Sequence, residues 1–148
     1  MKLRSSISGL AFAVGLGVLV AGCGQVNAVR AQKAFKDANK LYAGSDWKLA
    51  AAKYEEAIQL SPENGYSFFF LANCLDNLYR PTRAGEPEND ALLTKAIENY
   101  KLAAQKIEDP LWKRRSLEFL VSAYGPDKLN DPTSAEPIVK QMIDLDPA

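Results

Sequence analysis

Three stretches of this chain repeat one helical pattern of alternating small and large residues, and that pattern confines it to stacked helices. Ala50, Tyr54, Ala57 and Leu60 are spaced by threes and fours, as are Ala96, Tyr100, Ala103 and Ile107, and Ala135, Val139, Met142 and Leu145. Such spacing places each set on one helical face, and small residues between large ones let two helices approach closely and interlock. Each stretch runs toward a proline, Pro62, Pro110 or Pro147. The residue before a proline is pushed out of the helical region, so each proline is expected to stop its helix. Recurrence at about 37–48 residues is the mark of a repeat architecture.

Ahead of each stretch lies a partner stripe. The first is Ala31, Ala34, Phe35, Ala38, Leu41 and Tyr42; the second Phe68, Leu71, Ala72 and Leu75; the third Leu117, Leu120, Val121 and Tyr124. Gly44-Ser45-Asp46 breaks the first pair and Gly125-Pro126-Asp127 the third. The spacing predicts six helices, near residues 27–43, 47–60, 65–79, 90–107, 111–124 and 133–145. Thr133 and Glu136 are expected to cap the last, with Pro137 tolerated in its first turn. Residues 80–90 form a polar, turn-rich insertion with the composition of a solvated connector; a contact loop at the rim is the functional reading of the same segment.

These residues resemble the tetratricopeptide repeat (TPR) family. Asp46-Trp47-Lys48-Leu49-Ala50 through Tyr54-Glu55-Glu56-Ala57-Ile58 to Pro62 is similar to the second helix of a repeat. Phe68, Leu71-Ala72 and Leu75, with Ala96-Ile97-Glu98-Asn99-Tyr100 and Ala103, are similar to a second repeat. Leu117, Leu120-Val121 and Tyr124, with Ala135 and Leu145-Asp146-Pro147, give a third. The resemblance implies an all-α, TPR-like α-solenoid of about three helix-turn-helix repeats, at about residues 30–63, 65–110 and 111–147. Asp37 departs from it, at a position usually apolar. Such arrays usually close with an extra helix over the last apolar face. None follows the third repeat here, so Val139 and Met142 are expected on an exposed surface, covered by a longer chain or by another protein.

The N-terminus is a separate element. Lys2 and Arg4 precede the apolar or small residues 7–20, the anatomy of an export signal and short for a permanent span, which needs about 20 apolar residues. Val20-Ala21-Gly22-Cys23 resembles the lipobox of bacterial lipoproteins. That resemblance implies loss of residues 1–22, a diacylglycerol on the Cys23 thiol and often an acyl chain on its amine; two or three chains hold a membrane where one holds only marginally. An ordinary signal peptide and an uncleaved anchor are the alternatives. Residues 23–29 are then a lipidated N-terminus and short linker, which keeps the array close to the membrane at about 3.3–3.6 Å per extended residue. The expected location is the cell envelope. Gly24 stands where some Gram-negative lipoproteins carry an aspartate that retains them in the inner membrane, which implies the outer membrane, facing the periplasm, in such bacteria.

Composition narrows the chemistry. Lys and Arg number 18 against 18 Asp and Glu, and without residues 1–22 the balance is about −2, which offers nucleic acid no basic face. About 126 residues remain, enough for one domain. There is no histidine, the commonest general base and metal ligand. With Cys23 acylated, Cys74 has no disulfide partner and sits in an apolar run, where cysteine behaves as a small hydrophobe. No phosphate-cradling loop or metal-spaced cysteine cluster is present. The expectation is a non-enzymatic protein with no metal and no cofactor beyond the lipid on Cys23.

The resemblance further implies that partners bind the concave face, lined by the first helix of each repeat. Carried over residue by residue, the protein-binding positions are Phe35, Asn39 and Tyr42, then Tyr66, Phe69, Phe70 and Asn73, then Arg115 with Glu118 and Ser122 near it. Aromatics supply anchor pockets and amides can hydrogen-bond a peptide backbone. Three successive phenylalanines cannot share a face, so Phe68 is expected in the core with Leu71, and Phe69 or Phe70 partly exposed. The carboxylate clamp of some TPR domains is incomplete: Arg115 and Asn39 match it, but Phe35, Phe70 and Phe119 replace its other polar residues. The sequence reads as a membrane-anchored scaffold for protein–protein interaction in an envelope assembly complex, its partner an envelope protein or peptide. The alternatives are a glycan- or small-ligand-binding accessory lipoprotein, or the N-terminal part of a longer TPR or enzyme-fused protein.

Overall fold

Helix follows helix through the chain. A computed structural model describes residues 11–145, with side chains from residue 24 onward. The helices are α1 (Ala11–Ala43), α2 (Trp47–Leu60), α3 (Gly65–Leu78), α4 (Pro87–Lys106), α5 (Pro110–Tyr124) and α6 (Pro132–Leu145), with one short 3-10 turn at Pro81–Arg83. No strand occurs among the described residues. The modification expected at Cys23, the start of the export signal and Pro147 lie outside the residues whose side chains are described.

Each helix packs against the next. Trp47, opening α2, meets Tyr42 near the end of α1, while Tyr54 further along meets Phe35; the two helices are antiparallel. In α3 and α4, Asn73 reaches Tyr100 and the start of α3 abuts Ile107. The alternating stripes are what close these pairs. Ala38, Ala50, Tyr54, Ala57, Ala72, Ala96, Tyr100 and Ala103 are all sealed from solvent, each small side chain admitting a large one from the facing helix. Phe68 and Leu71 are buried with them, as expected.

The connections follow local chemistry. After α1, Asp46 N–H donates to the Leu41 carbonyl and Ser45 N–H to that of Tyr42, both at 2.9 Å, the two bonds of a Schellman ending. Its left-handed position, usually glycine, is held by Ser45 at φ 61°; Gly44 lies one residue too early. Asn64 caps α3 by accepting from Tyr66 N–H, and Asp109 caps α5 by accepting from the Leu111 and Trp112 amides. Gly65 is required by proximity: a Cβ there would lie 2.6 Å from Ile107 Cγ1 and 3.0 Å from its nitrogen.

Several boundaries differ from the sequence expectation. Residues 24–29, expected as a linker, continue α1; no proline lies in that helix to interrupt its backbone bonds. Pro110 opens α5 rather than closing α4, which already ends at Lys106, because the first helical position needs no N–H. The insertion shrinks, since Pro87 opens α4 in the same way. Buried Asn89 orders what is left, accepting from Arg80 N–H and donating to the Arg80 and Arg83 carbonyls.

The last helix departs most. Its cap is Asp131, which accepts from Ser134 N–H and Oγ–H, and Thr133 and Glu136 play no such part. Pro137 therefore falls inside the helix. Ile138 and Met142 pack half-buried against the core. Val139 is exposed as expected, but the residue beside it on the surface is Ile143, not Met142. α6 buries no residue fully.

Candidate functional site

The odd-numbered helices lie side by side and meet through aromatic rings. Phe70 of α3 is the centre: Phe35 and Tyr42 of α1 lie 6.1 and 5.2 Å from it, and Trp112 of α5 5.7 Å. Tyr66 stands edge-on to Trp112 at 5.6 Å, and Trp47 edge-on to Tyr42 at 5.1 Å. All six are half-buried. Beneath them are rings with no outlet: Phe69, 2 % exposed, touches Phe70, Trp112, Phe119 and Tyr100, and Tyr54 stacks on Phe70. Offset and edge-on contacts of this kind are worth about 0.5–1.5 kcal/mol each beyond burial. The visible row is thus held rigid by a hidden one.

Polar groups fix the row in register. Asn73, 7 % exposed, accepts from Tyr42 Oη–H at 2.7 Å and from Asn77 Nδ2 at 3.0 Å, and donates to Tyr100 Oη at 3.3 Å. It ties α1, α3 and α4 together. Asn39 accepts from Tyr54 Oη–H at 2.7 Å. Burial holds the Tyr42 phenol above its ordinary value; Cys74 adds to the rise and Arg115 opposes it. Burial likewise raises Tyr54 and Tyr100, so all three hydroxyls stay neutral at physiological pH, Tyr42 and Tyr54 as donors and Tyr100 as an acceptor. At one edge the exposed Arg115 guanidinium lies over the Trp112 ring at 5.4 Å, a cation–π contact that leaves its donors outward.

The eight expected binding positions therefore gather on one side of the molecule but divide in role. Phe35, Tyr42, Tyr66 and Phe70 are half-buried, and Asn39 and Arg115 exposed. Phe69 and Asn73 are interior, supporting the row from below. Trp47 and Trp112 belong to the row and were missed. Trp112 precedes Arg115 by three residues and Phe119 by seven, a helical spacing that marks the same face. Lys128, half-buried in the α5–α6 connection, bonds to Asp76 of α3 and fastens the far end of the face.

Cys74 is fully buried, its thiol pushed up to about 12 by burial, which suits packing rather than reactivity. Among the described residues no group of three His, Cys, Asp or Glu side chains is placed to hold a metal ion, and no helix is long and apolar enough to cross a membrane. No family model matches the chain, and no curated protein matches it.

Proposed function

We propose that the chain is a membrane-anchored, TPR-like scaffold whose α1–α3–α5 face binds an extended peptide segment of another envelope protein. The observation that carries this reading is the half-buried row Phe35, Tyr42, Phe70, Trp112 and Tyr66, continuous across three helices and edged by Arg115. Rigid aromatic anchors beside an arginine are the side chains that dominate protein-binding energies. The antiparallel pairs α1–α2 and α3–α4, each closed by a sealed small-large stripe, support the repeat architecture. The Val20-Ala21-Gly22-Cys23 sequence supports the lipid anchor.

Photo-crosslinking in intact cells tests the binding face. Benzoylphenylalanine in place of Tyr66 or Arg115 is expected to give a discrete adduct. The same residue in place of Glu55 on α2 or Lys95 on α4 is expected to give none; adducts from α2 and α4 alone overturn the assignment. For the anchor, Cys23→Ala is expected to release the protein from membranes or leave an unprocessed precursor. Unchanged processing and attachment would sink that part of the reading.

A further inference from the structure

We infer that the outward face of α1 next to the anchor rests on an anionic bilayer surface, so that the array is oriented as well as tethered. This rests on the membrane-anchored reading above. Val26, Val29, Lys33, Lys36 and Lys40 recur at spacings of three and four, which gathers them on one face. Ala31, Ala34 and Ala38 occupy the opposite face and are buried against the rest of the molecule. The two valines, 57 % and 68 % exposed, are large apolar side chains that the fold leaves in solvent. Arg30 flanks the same stripe.

The charges of α1 itself are one-sided; an acid of α2, Glu56, borders the same groove as Arg30 and Lys33 but is paired by Lys53. From residue 24 to the end of α1 there are Arg30, Lys33, Lys36 and Lys40 against the single acid Asp37, which Lys40 pairs at 3.5 Å. Among the described residues Arg30, Lys33 and Lys36 have no ion-pair partner. From Val26 to Lys36 the helix advances about 15 Å. A helix lying along the bilayer brings all of these within about a Debye length of the headgroups, with the valines turned toward the acyl boundary. An amphipathic helix with lysine and arginine beside apolar residues binds an interface in this manner.

The occupant is therefore the lipid surface rather than a protein. The face is narrow, lacks aromatic anchors and begins immediately after the residue proposed to carry the lipid. In this pose the surface opposite the stripe, where α2 packs, points away from the membrane.

Lysine footprinting reads the contact. The protein purified from its native membranes is reconstituted into vesicles of phosphatidylcholine alone or mixed with phosphatidylglycerol, and acetylation of each lysine is followed by mass spectrometry. Lys33 and Lys36 are expected to label about fivefold slower on the anionic vesicles, with Lys95 and Lys101 of α4 unchanged and the difference lost at high salt. Val26→Ser/Val29→Ser/Arg30→Gln, all at exposed positions, is expected to remove most of the protection. Equal labelling on both vesicles, or protection centred on α4, overturns the inference. The mass of the N-terminal peptide separately reports the lipid. An unlipidated N-terminus defeats the anchor, whereas a lipidated one with unprotected lysines defeats only the docking.

Discussion

Asn73 and Tyr100 should show a substitution that changes sign with its background. Tyr100 is sealed, and its hydroxyl receives Asn73 Nδ2–H at 3.3 Å. Tyr100→Phe alone removes one hydrogen bond and shortens the donor accounting of a buried amide, a loss of about 0.5–1.5 kcal/mol. Asn73→Leu keeps the branching of the side chain but removes three contacts, those with Tyr42, Asn77 and Tyr100. Tyr42 is half-buried and Asn77 exposed, so both can turn to water. The Tyr100 hydroxyl cannot, and a buried acceptor left without its donor costs about 1–3 kcal/mol. Allowing for the apolar area that leucine buries, Asn73→Leu should cost about 1–2 kcal/mol. With urea m-values of about 1–3 kcal/mol/M, that lowers the unfolding midpoint by about 0.5–1 M. In this background Tyr100→Phe deletes the orphan and should be neutral or stabilising, a coupling of about 1 kcal/mol or more. Urea titrations followed by circular dichroism on the chain from residue 24 supply the four corners of the cycle. If Tyr100→Phe costs the same in both backgrounds, within about 0.5 kcal/mol, the two groups are energetically independent and the proposed hub does not exist.

Four further outcomes follow from the packing and titration. Gly65→Ala should destabilise by about 1–3 kcal/mol, because its Cβ meets Ile107 at 2.6 Å with backbone close behind; an unchanged melting temperature refutes the close approach. Ser67 Oγ is buried without a hydrogen-bond partner, so Ser67→Ala should raise stability by about 0.5–1 kcal/mol, read from the same titrations. Ser45→Gly should add about 0.5–1 kcal/mol by relieving the left-handed backbone at φ 61°, net of glycine's greater unfolded-state entropy; a loss would show that the serine side chain stabilises the turn. At alkaline pH, Cys74 is raised from 9.0 to about 12 and the Tyr54 and Tyr100 phenols above 10.0, so the unfolded chain releases these protons first. Their contribution is complete below about pH 9 and is lost as pH rises, by up to about 1.4 kcal/mol per pH unit for each group titrating. Tyrosinate absorbance should show Tyr54 and Tyr100 ionising only as the fold is lost.

The helical period carried most of the fold. Ala50, Tyr54 and Ala57, and Ala96, Tyr100 and Ala103, are each sealed because a spacing of three and four leaves a helix one possible inner face. Rotation about each helix was harder to read. Among Phe68, Phe69 and Phe70, successive residues differ by about 100°, and only the neighbours on α1 and α5 decide that Phe70 reaches the surface and Phe69 does not. Asn73 was expected to await a ligand, but phenols on two other helices already occupy it, a fact that no local pattern contains. In α6 the apolar residues fit two phases. The sequence reading takes the one through Ala135, Val139, Met142 and Leu145, whereas the structure packs Ile138 beside Met142 and leaves Val139 and Leu145 exposed, with Asp131 setting the start of the helix.

The unbroken run of α1 has a consequence for direction. With no joint between its first turns and the packed part of the chain, whatever holds the N-terminal end also sets the azimuth of the aromatic row, like a key turned by its stem. Inserting one residue among 24–29 should swing the row about 100° around the helix axis while lengthening the stem by only about 1.5 Å. Inserting seven should return it to within about 20° of its original bearing, about 10 Å further along the helix axis. If partners are met at a fixed bearing, activity across such a series should oscillate with the helical period instead of falling with length.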